Sequence, residues 1–254
     1  MMNHTVTFPE ITAEAIASYR QNGFIRVRGL IPADEVAAYR EAVVRVAQGT
    51  GVSAGDNQTF KQVVNAWRLD ETVRRLTLHP NIGRVAAQLV GAPLRLWHDH
   101  ILIKAPHNKA PTFFHQDQQY WPHEKGAANT SCWIALTDVP ERRGCMSFIP
   151  GSNHRQDLQA QNLMDATSLF SQWPELEFEE KVTLPLRAGD CTFHDGRCAH
   201  MANDNATNEP RVALSVIMMG RDTRYRQWAH VVTDPLKPSV GQVLEGEMFP
   251  DLGG

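Results

Sequence analysis

Two short stretches place histidine beside groups that can share a metal ion. In FFHQDQQYWP, residues 113–122, His115 and Asp117 are separated by one residue. On a strand, that spacing sends both side chains to one face, so an imidazole nitrogen and a carboxylate oxygen can occupy adjacent vertices of one ion. The pair alone carries little weight, because H-x-D arises readily by chance at ordinary residue frequencies. A third ligand comes from CTFHDGRCAH, residues 191–200, where Gly189-Asp190 opens a strand and His200 closes the segment before an Asn-rich turn. Two histidines and one carboxylate hold Fe(II) without saturating it and leave positions for a cosubstrate and O2. Zinc is the rival metal, and a catalytic zinc site of this kind also needs a general base and a hydrolysable substrate.

Downstream of His200, the run RVALSVIMM puts Arg211, Ala213, Ser215 and Ile217 on one strand face. If that face is interior, Arg211 is a buried cation that needs an anion. Either the carboxylate of a bound oxo-acid or a structural Asp or Glu meets that need.

Other histidines compete for attention. His98 and His100 in LRLWHDHILIK also lie two apart, but Asp99 points the other way, so no carboxylate shares their face. His98 is better suited to contacting a cosubstrate or a ligand residue than to holding metal. His194 reads as a core histidine or one supporting a ligand, and His107, His123 and His154 read as solvent-exposed loop residues. Tyr120 and Trp121 follow the H-x-D pair closely enough to line a pocket mouth and contact substrate, with plain core packing as the alternative. Arg221, Arg224 and Arg226 read as a solvated basic edge.

These residues need a scaffold, and the sequence divides into two regimes. TAEAIASYRQNGF, PADEVAAYREAVVRVAQG and NIGRVAAQLVG have helical spacing, with Thr12 as an N-cap and Gly23 and Gly91 as stops. FIRVRGL is a strand between the first two, and residues 50–60 form a polar loop. From about residue 94 the period becomes two: LRLWHDHILIKAP, TSCWIALTDV, GCMSFIPG, KVTLPLRAGDCTFHD and RVALSVIMMG are strand-like and separated by turn residues. Strand–helix–strand alternation is lacking there, which favours an antiparallel sandwich or barrel over a doubly wound sheet. A helical insertion is expected over DLQAQNLMDATSLF, and the Pro-rich tail after residue 220 is expected to wrap the surface. The expected organisation is one domain over 1–254: a helical part to about 93, a β core over about 94–220 and a tail over 221–254.

Composition narrows the partners. The chain has 254 residues, 42% hydrophobic and 21% charged, with a formal charge of −3. Its basic residues are scattered, so no footprint for nucleic acid or an anionic membrane is present. No secretory leader pattern or uninterrupted membrane-length apolar run is found, and a cytoplasmic setting is expected. Cys132, Cys145, Cys191 and Cys198 lack metal or disulfide spacing and read as reduced core residues.

Taken together, H-Q-D at 115–117, SCWIALTDV, ERRGCMSFIPGSNH, RAGDCTFHDGRCAH and Arg211 resemble the phytanoyl-CoA dioxygenase family of Fe(II)/2-oxoglutarate-dependent oxygenases, over most of residues 17–219. The resemblance implies a mainly β protein with flanking helices: a double-stranded β-helix core (jelly roll, cupin-like) with the N-terminal helices packed on it. It implies Fe(II) on His115, Asp117 and His200, and 2-oxoglutarate anchored by Arg211, eleven residues after His200. Trp133, eighteen residues after His115, would lie against the cosubstrate. Lys104 sits where many members carry a lysine, which makes it a cofactor contact or a solvated strand-end residue. Ala202 stands where some members use Ser or Thr to hold 2-oxoglutarate, so the cosubstrate must rely on Arg211 and other contacts.

The implied reaction consumes O2, releases succinate and CO2, and hydroxylates an unactivated C–H of a substrate. Halogenating relatives lack the carboxylate, so Asp117 favours hydroxylation. The moderate length and the lack of a basic patch point to a small molecule rather than an acyl-CoA. A zinc-dependent hydrolase or lyase on a cupin-like barrel would have no use for Arg211. A non-catalytic binding protein descended from oxygenases would have no reason to keep all four residues.

Overall fold

The structure, a computed structural model, describes residues 4–50, 61–124, 127–155, 159–162 and 165–253. The strands are β1 (Thr5–Thr7), β2 (Phe24–Arg28), β3 (Lys61–Val64), β4 (Leu94–Lys104), β5 (Thr112–His115), β6 (Asn129–Ala135), β7 (Met146–Phe148), β8 (Val182–Leu184), β9 (Cys191–His194), β10 (His200–Ala202) and β11 (Arg211–Gly220). The helices are α1 (Ala13–Asn22), α2 (Ala33–Gly49), α3 (Glu71–Thr77), α4 (Pro80–Val90) and α5 (Ser168–Gln172). Seven strands form one sheet in the order β1-β2-β9-β6-β11-β4-β3, and four form a second in the order β5-β10-β7-β8. This is the jelly-roll core expected from the sequence, with α1, α2 and α4 packed on the outer face of the large sheet.

Strand alternation explains that packing. Val212, Leu214, Val216 and Met218 of β11, Cys132 and Ile134 of β6, and Cys191 and Phe193 of β9 join Val43 of α2 and Ile82, Val85 and Leu89 of α4 in one buried cluster. Each such aliphatic side chain contributes about 1.5–3 kcal/mol on burial. The intervening residues of the same strands face the small sheet, and the cavity lies between the two. Helix ends follow local chemistry: the Thr12 hydroxyl accepts from Ala15 N at 3.2 Å, and Gly23 closes α1 at φ 84°, a conformation that costs a non-glycine residue about 1 kcal/mol or more. All four cysteines are buried and unpaired. No helix among the described residues is long and apolar enough to cross a membrane.

Several expectations change. The N-terminal region contributes more strand than expected: besides the anticipated strand in FIRVRGL, which is β2 and pairs with β9, it adds β1 and β3 to the large sheet, where β3 pairs with β4. Of the expected insertion helix, residues 156–158 and 163–164 lie outside the described residues, and the described part is helical only from Ser168. The polar loop at 51–60 also lies outside them. The tail runs over the surface, with most of its residues exposed, but it is also anchored inside: Val232, Leu244 and Phe249 are buried with Trp97, Trp121 and Ile217. These apolar residues lack helical or strand periodicity, which is why composition misrepresents the segment.

Candidate metal centre

His115 ends β5 and His200 opens β10, and the two are direct partners across the antiparallel ladder. That register brings their rings to 4.3 Å between centroids. Asp117 is not on the strand, as the H-x-D spacing suggested, but opens a short turn, Asp117–Tyr120. The turn is pinned by the residue that precedes it: Gln116 is fully buried, its backbone N–H donates to Gln161 Oε1 at 3.0 Å, and its amide donates to the carbonyls of Ser152 and Arg197. The carboxylate therefore swings back to the histidines, with Oδ1 3.4 Å from His115 Nε2 and 3.7 Å from His200 Nε2.

The tautomers make this a cation site. His115 Nδ1 is 2.7 Å from the carbonyl of Phe113, and His200 Nδ1 is 2.9 Å from that of Cys198. A carbonyl only accepts, so each Nδ1 carries the proton and each Nε2 presents a lone pair to Asp117 Oδ1. Two lone pairs facing a carboxylate oxygen repel unless a cation lies between them. One ligand atom from each of the three residues lies within 4.8 Å of the others, and this is the one such group of three or more among the described residues. Burial, with His115 beside it, pushes His200 down to about 3, so it stays a neutral ligand.

The second carboxylate oxygen is held separately. Ser131 Oγ donates to Asp117 Oδ2 at 3.4 Å, and His194 Nε2 lies 3.7 Å from the same oxygen. His194 is thus a supporting residue with its ring 4.5 Å from that of His200. Ser131 went unnoticed in the sequence, although it lies two residues from Trp133 on β6 and so shares its face.

A cavity of about 260 Å³ runs from this centre along the inner face of the large sheet. Arg211 stands at one end, 1% exposed, with its guanidinium 5.2 Å from the Trp133 ring centroid. It reaches the Gly144 carbonyl only at 3.5 Å, and its Nε has no protein partner. A buried guanidinium this poorly satisfied fits a bidentate carboxylate. Burial lowers it to about 9, which leaves it cationic at neutral pH. Gly144, at φ 66°, lets the backbone pass close by: a Cβ there would meet Lys104 Cδ at 3.3 Å.

Lys104 is neither solvated nor a cavity contact. It is fully buried, and its ammonium donates to the carbonyls of Ala110 (3.0 Å), Ala202 (3.3 Å) and Asn203 (2.6 Å). All three hydrogens are used, tying the end of β4 to the strand that carries His200. Burial and the adjacent Arg211 lower it to about 7.

Tyr120 and Trp121 both line the cavity, the Tyr120 hydroxyl donating to the Gln161 carbonyl. His98 lines it too, opposite Ile217 and six residues along β4 from Lys104. His123, expected in solvent, is buried with its ring 4.5 Å from Trp97, because the tail closes over that loop. His230 of the tail also lines the cavity, and no periodic pattern around it in the sequence signals this.

A jelly roll with two histidines and a carboxylate converging between its sheets defines the non-heme iron oxygenase class. The phytanoyl-CoA dioxygenase profile matches residues 19–213. The chain is 37% identical to the crystal structure of the non-heme alpha-ketoglutarate-dependent carbocyclase SnoK from nogalamycin biosynthesis, with a TM-score of 0.87 over 97% of this chain and 98% of that one. It is 34% identical to the epimerase SnoN in complex with Fe3+, alpha-ketoglutarate and nogalamycin RO, with a TM-score of 0.83 over 94% of this chain and 97% of that one. Ectoine dioxygenase from Streptomyces avermitilis is 26% identical over 234 residues, covering 82% of this chain and 78% of that protein. The chain belongs to the phytanoyl-CoA dioxygenase family and is an Fe(II)/2-oxoglutarate-dependent dioxygenase.

Proposed function

We propose that the chain acts as one catalytic unit that hydroxylates a C–H bond of a ring-bearing small molecule, with His115, Asp117 and His200 as the iron ligands and Arg211 as the anchor for the distal carboxylate of 2-oxoglutarate. The observation that carries the reading is the convergence of two carbonyl-locked imidazoles on Asp117 Oδ1. Bound Fe(II) and 2-oxoglutarate supply the oxidising chemistry, consuming O2 and releasing succinate and CO2. Asp117 offers one oxygen to the metal while Ser131 and His194 retain the other, which supports a carboxylate that takes a single coordination position. Arg211 pairs with the cosubstrate carboxylate, and Trp133 provides a flat apolar wall beneath that pairing. Ala202 lines the cavity without a hydroxyl, which leaves the anchoring to Arg211. Tyr120 and Trp121 close the side of the cavity where substrate enters and keep water from the reacting centre.

The likeness to a carbocyclase favours a second outcome at the same site, ring closure in place of hydroxylation. Aerobic incubation of the iron-loaded protein with 2-oxoglutarate and a panel of cyclic small molecules separates the two. Hydroxylation gives a product heavier by one oxygen atom, and ring closure gives one lighter by two hydrogen atoms. Succinate is expected to form in step with product and to be lost in Asp117→Ala; turnover without 2-oxoglutarate would overturn the proposal.

A further inference from the structure

The inner face of the large sheet is a ladder with one chemistry at each end. On β4 and β11, Arg211 pairs with Lys104, Ser215 with His100, and Ile217 with His98. Four residues of strand separate Arg211 from Ser215, about 13 Å at 3.3–3.4 Å per residue. That is farther than a five-carbon dicarboxylate and its metal extend from the guanidinium, so His98 and His100 lie in the part of the cavity left for substrate.

There the two rings are stacked, 4.3 Å between centroids and 9° from parallel, with their Nε2 atoms 3.4 Å apart. Gln62 Nε2 lies 2.8 Å from His100 Nδ1. An amide nitrogen only donates, so His100 Nδ1 accepts and its proton sits on Nε2. His98 Nδ1 is buried and has no partner. A proton on that nitrogen would be a buried unsatisfied donor costing about 1–3 kcal/mol. With no acceptor beside them, His100 Nε2–H can donate to His98 Nε2 at 3.4 Å, which leaves the His98 Nδ1 proton as the unsatisfied donor. When an acceptor oxygen enters, shifting the His98 proton to Nε2 removes that penalty and lets both N–H groups donate to the oxygen. His230 lines the same part of the cavity, its ring 5.5 Å from that of His98.

We propose that His98 and His100, fixed by Gln62, form a two-donor clamp for a carbonyl or hydroxyl oxygen on the ring of the substrate. The assignment rests on the reading of the iron site only for which end of the cavity is which. A charged group is the poorer partner: burial and the neighbouring histidines hold His98 well below its ordinary pKa, and burial lowers His100 to about 4, so the clamp is uncharged near neutrality. A second metal ion is also the poorer occupant, because the pair belongs to no group of three metal-capable residues among those described.

Binding of 1-tetralone and of tetralin, the same ring system without the oxygen, tests the clamp through quenching of tryptophan fluorescence. It is measured in the anaerobic Fe(II)·2-oxoglutarate protein and in the metal-free protein. Two hydrogen bonds at about 0.5–1.5 kcal/mol each give an expected preference for the ketone of about tenfold or more. In His98→Phe/His100→Phe the preference is expected to fall to about one, with tetralin still bound. In Gln62→Leu, at the cavity mouth and outside the core, it is expected to fall severalfold. A preference retained in the double variant, or none in the wild type through equal binding or no binding, would overturn the clamp, as would two iron ions bound per chain. Failure of the wild type to form the visible iron–cosubstrate band counts against the iron site instead, and the ratio in the metal-free protein still decides the clamp.

Discussion

Two groups of histidines line the same cavity and differ chiefly in one neighbour. On the small sheet, His115 and His200, with His194 from β9 beside them, surround the carboxylate of Asp117. On the large sheet, His98 and His100 stack with His230 nearby, and the acid between the first two, Asp99, faces the other way to accept from Trp67 N at 2.9 Å and Thr77 Oγ1 at 2.7 Å. One carboxylate turns neutral imidazoles into a cation site. Without it, neighbouring imidazoles in the same cavity remain a hydrogen-bonding surface. The placement of Asp117 is therefore the decisive feature of the cavity, and the backbone spends a fully buried glutamine, Gln116, on securing it.

The largest expected effect comes from removing that carboxylate. In Asp117→Ala, Fe(II) binding is expected to weaken by more than about a hundredfold, beyond the 10–100-fold typical of residues that only support a ligand; titration of the metal-free protein reads this directly. Arg211→Ala comes next. Truncating one partner of a buried charge pair costs about 2–5 kcal/mol, so the 2-oxoglutarate dissociation constant is expected to rise about thirtyfold or more. Arg211→Lys should recover only part of this, because an ammonium cannot pair in two-point fashion.

His194→Phe sharpens the comparison from within the acidic group. It removes a contact to Asp117 Oδ2 without removing a ligand, and about tenfold weaker Fe(II) binding is expected with the circular dichroism spectrum unchanged. An effect as large as that of Asp117→Ala would make His194 a ligand in its own right.

The smallest effect concerns stability and belongs to the acid-free side. His123 is buried against Trp97, and burial lowers its pKa from 6.5 to about 3. Above pH 6.5 it is neutral in both folded and unfolded chains and has no effect on pH dependence. As the pH falls from 6.5 towards 3, the unfolded chain takes up a proton that the folded chain refuses, so stability is lost. The slope approaches about 1.4 kcal/mol per pH unit at most. Urea unfolding at pH 7 and pH 5 is expected to show a smaller difference for His123→Phe than for the wild type.

Much of this was legible in the sequence because strand alternation is a strong code. The face shared by Arg211, Ser215 and Ile217 follows from period two, as does the opposite direction of Asp99. The ligands His115, Asp117 and His200 were readable as types and spacing, but not their geometry, since Asp117 reaches the site by a turn and His200 by cross-strand register with His115. Lys104 misled because a strand-end lysine is ordinarily solvated, and only tertiary structure supplies its three carbonyls. His123, His230 and the buried tail residues were missed because their burial comes from long-range packing on Trp97 and Trp121, for which no local pattern exists.

The most direct test of the central claim is anaerobic addition of Fe(II) and 2-oxoglutarate to the metal-free protein, followed by visible spectroscopy. The expected result is a charge-transfer band from the iron-bound cosubstrate in the wild type, absent in Asp117→Ala and requiring much more 2-oxoglutarate in Arg211→Ala. A wild-type protein that shows no band, or a band undiminished in Asp117→Ala, would contradict the assignment of His115, Asp117 and His200 as the iron site.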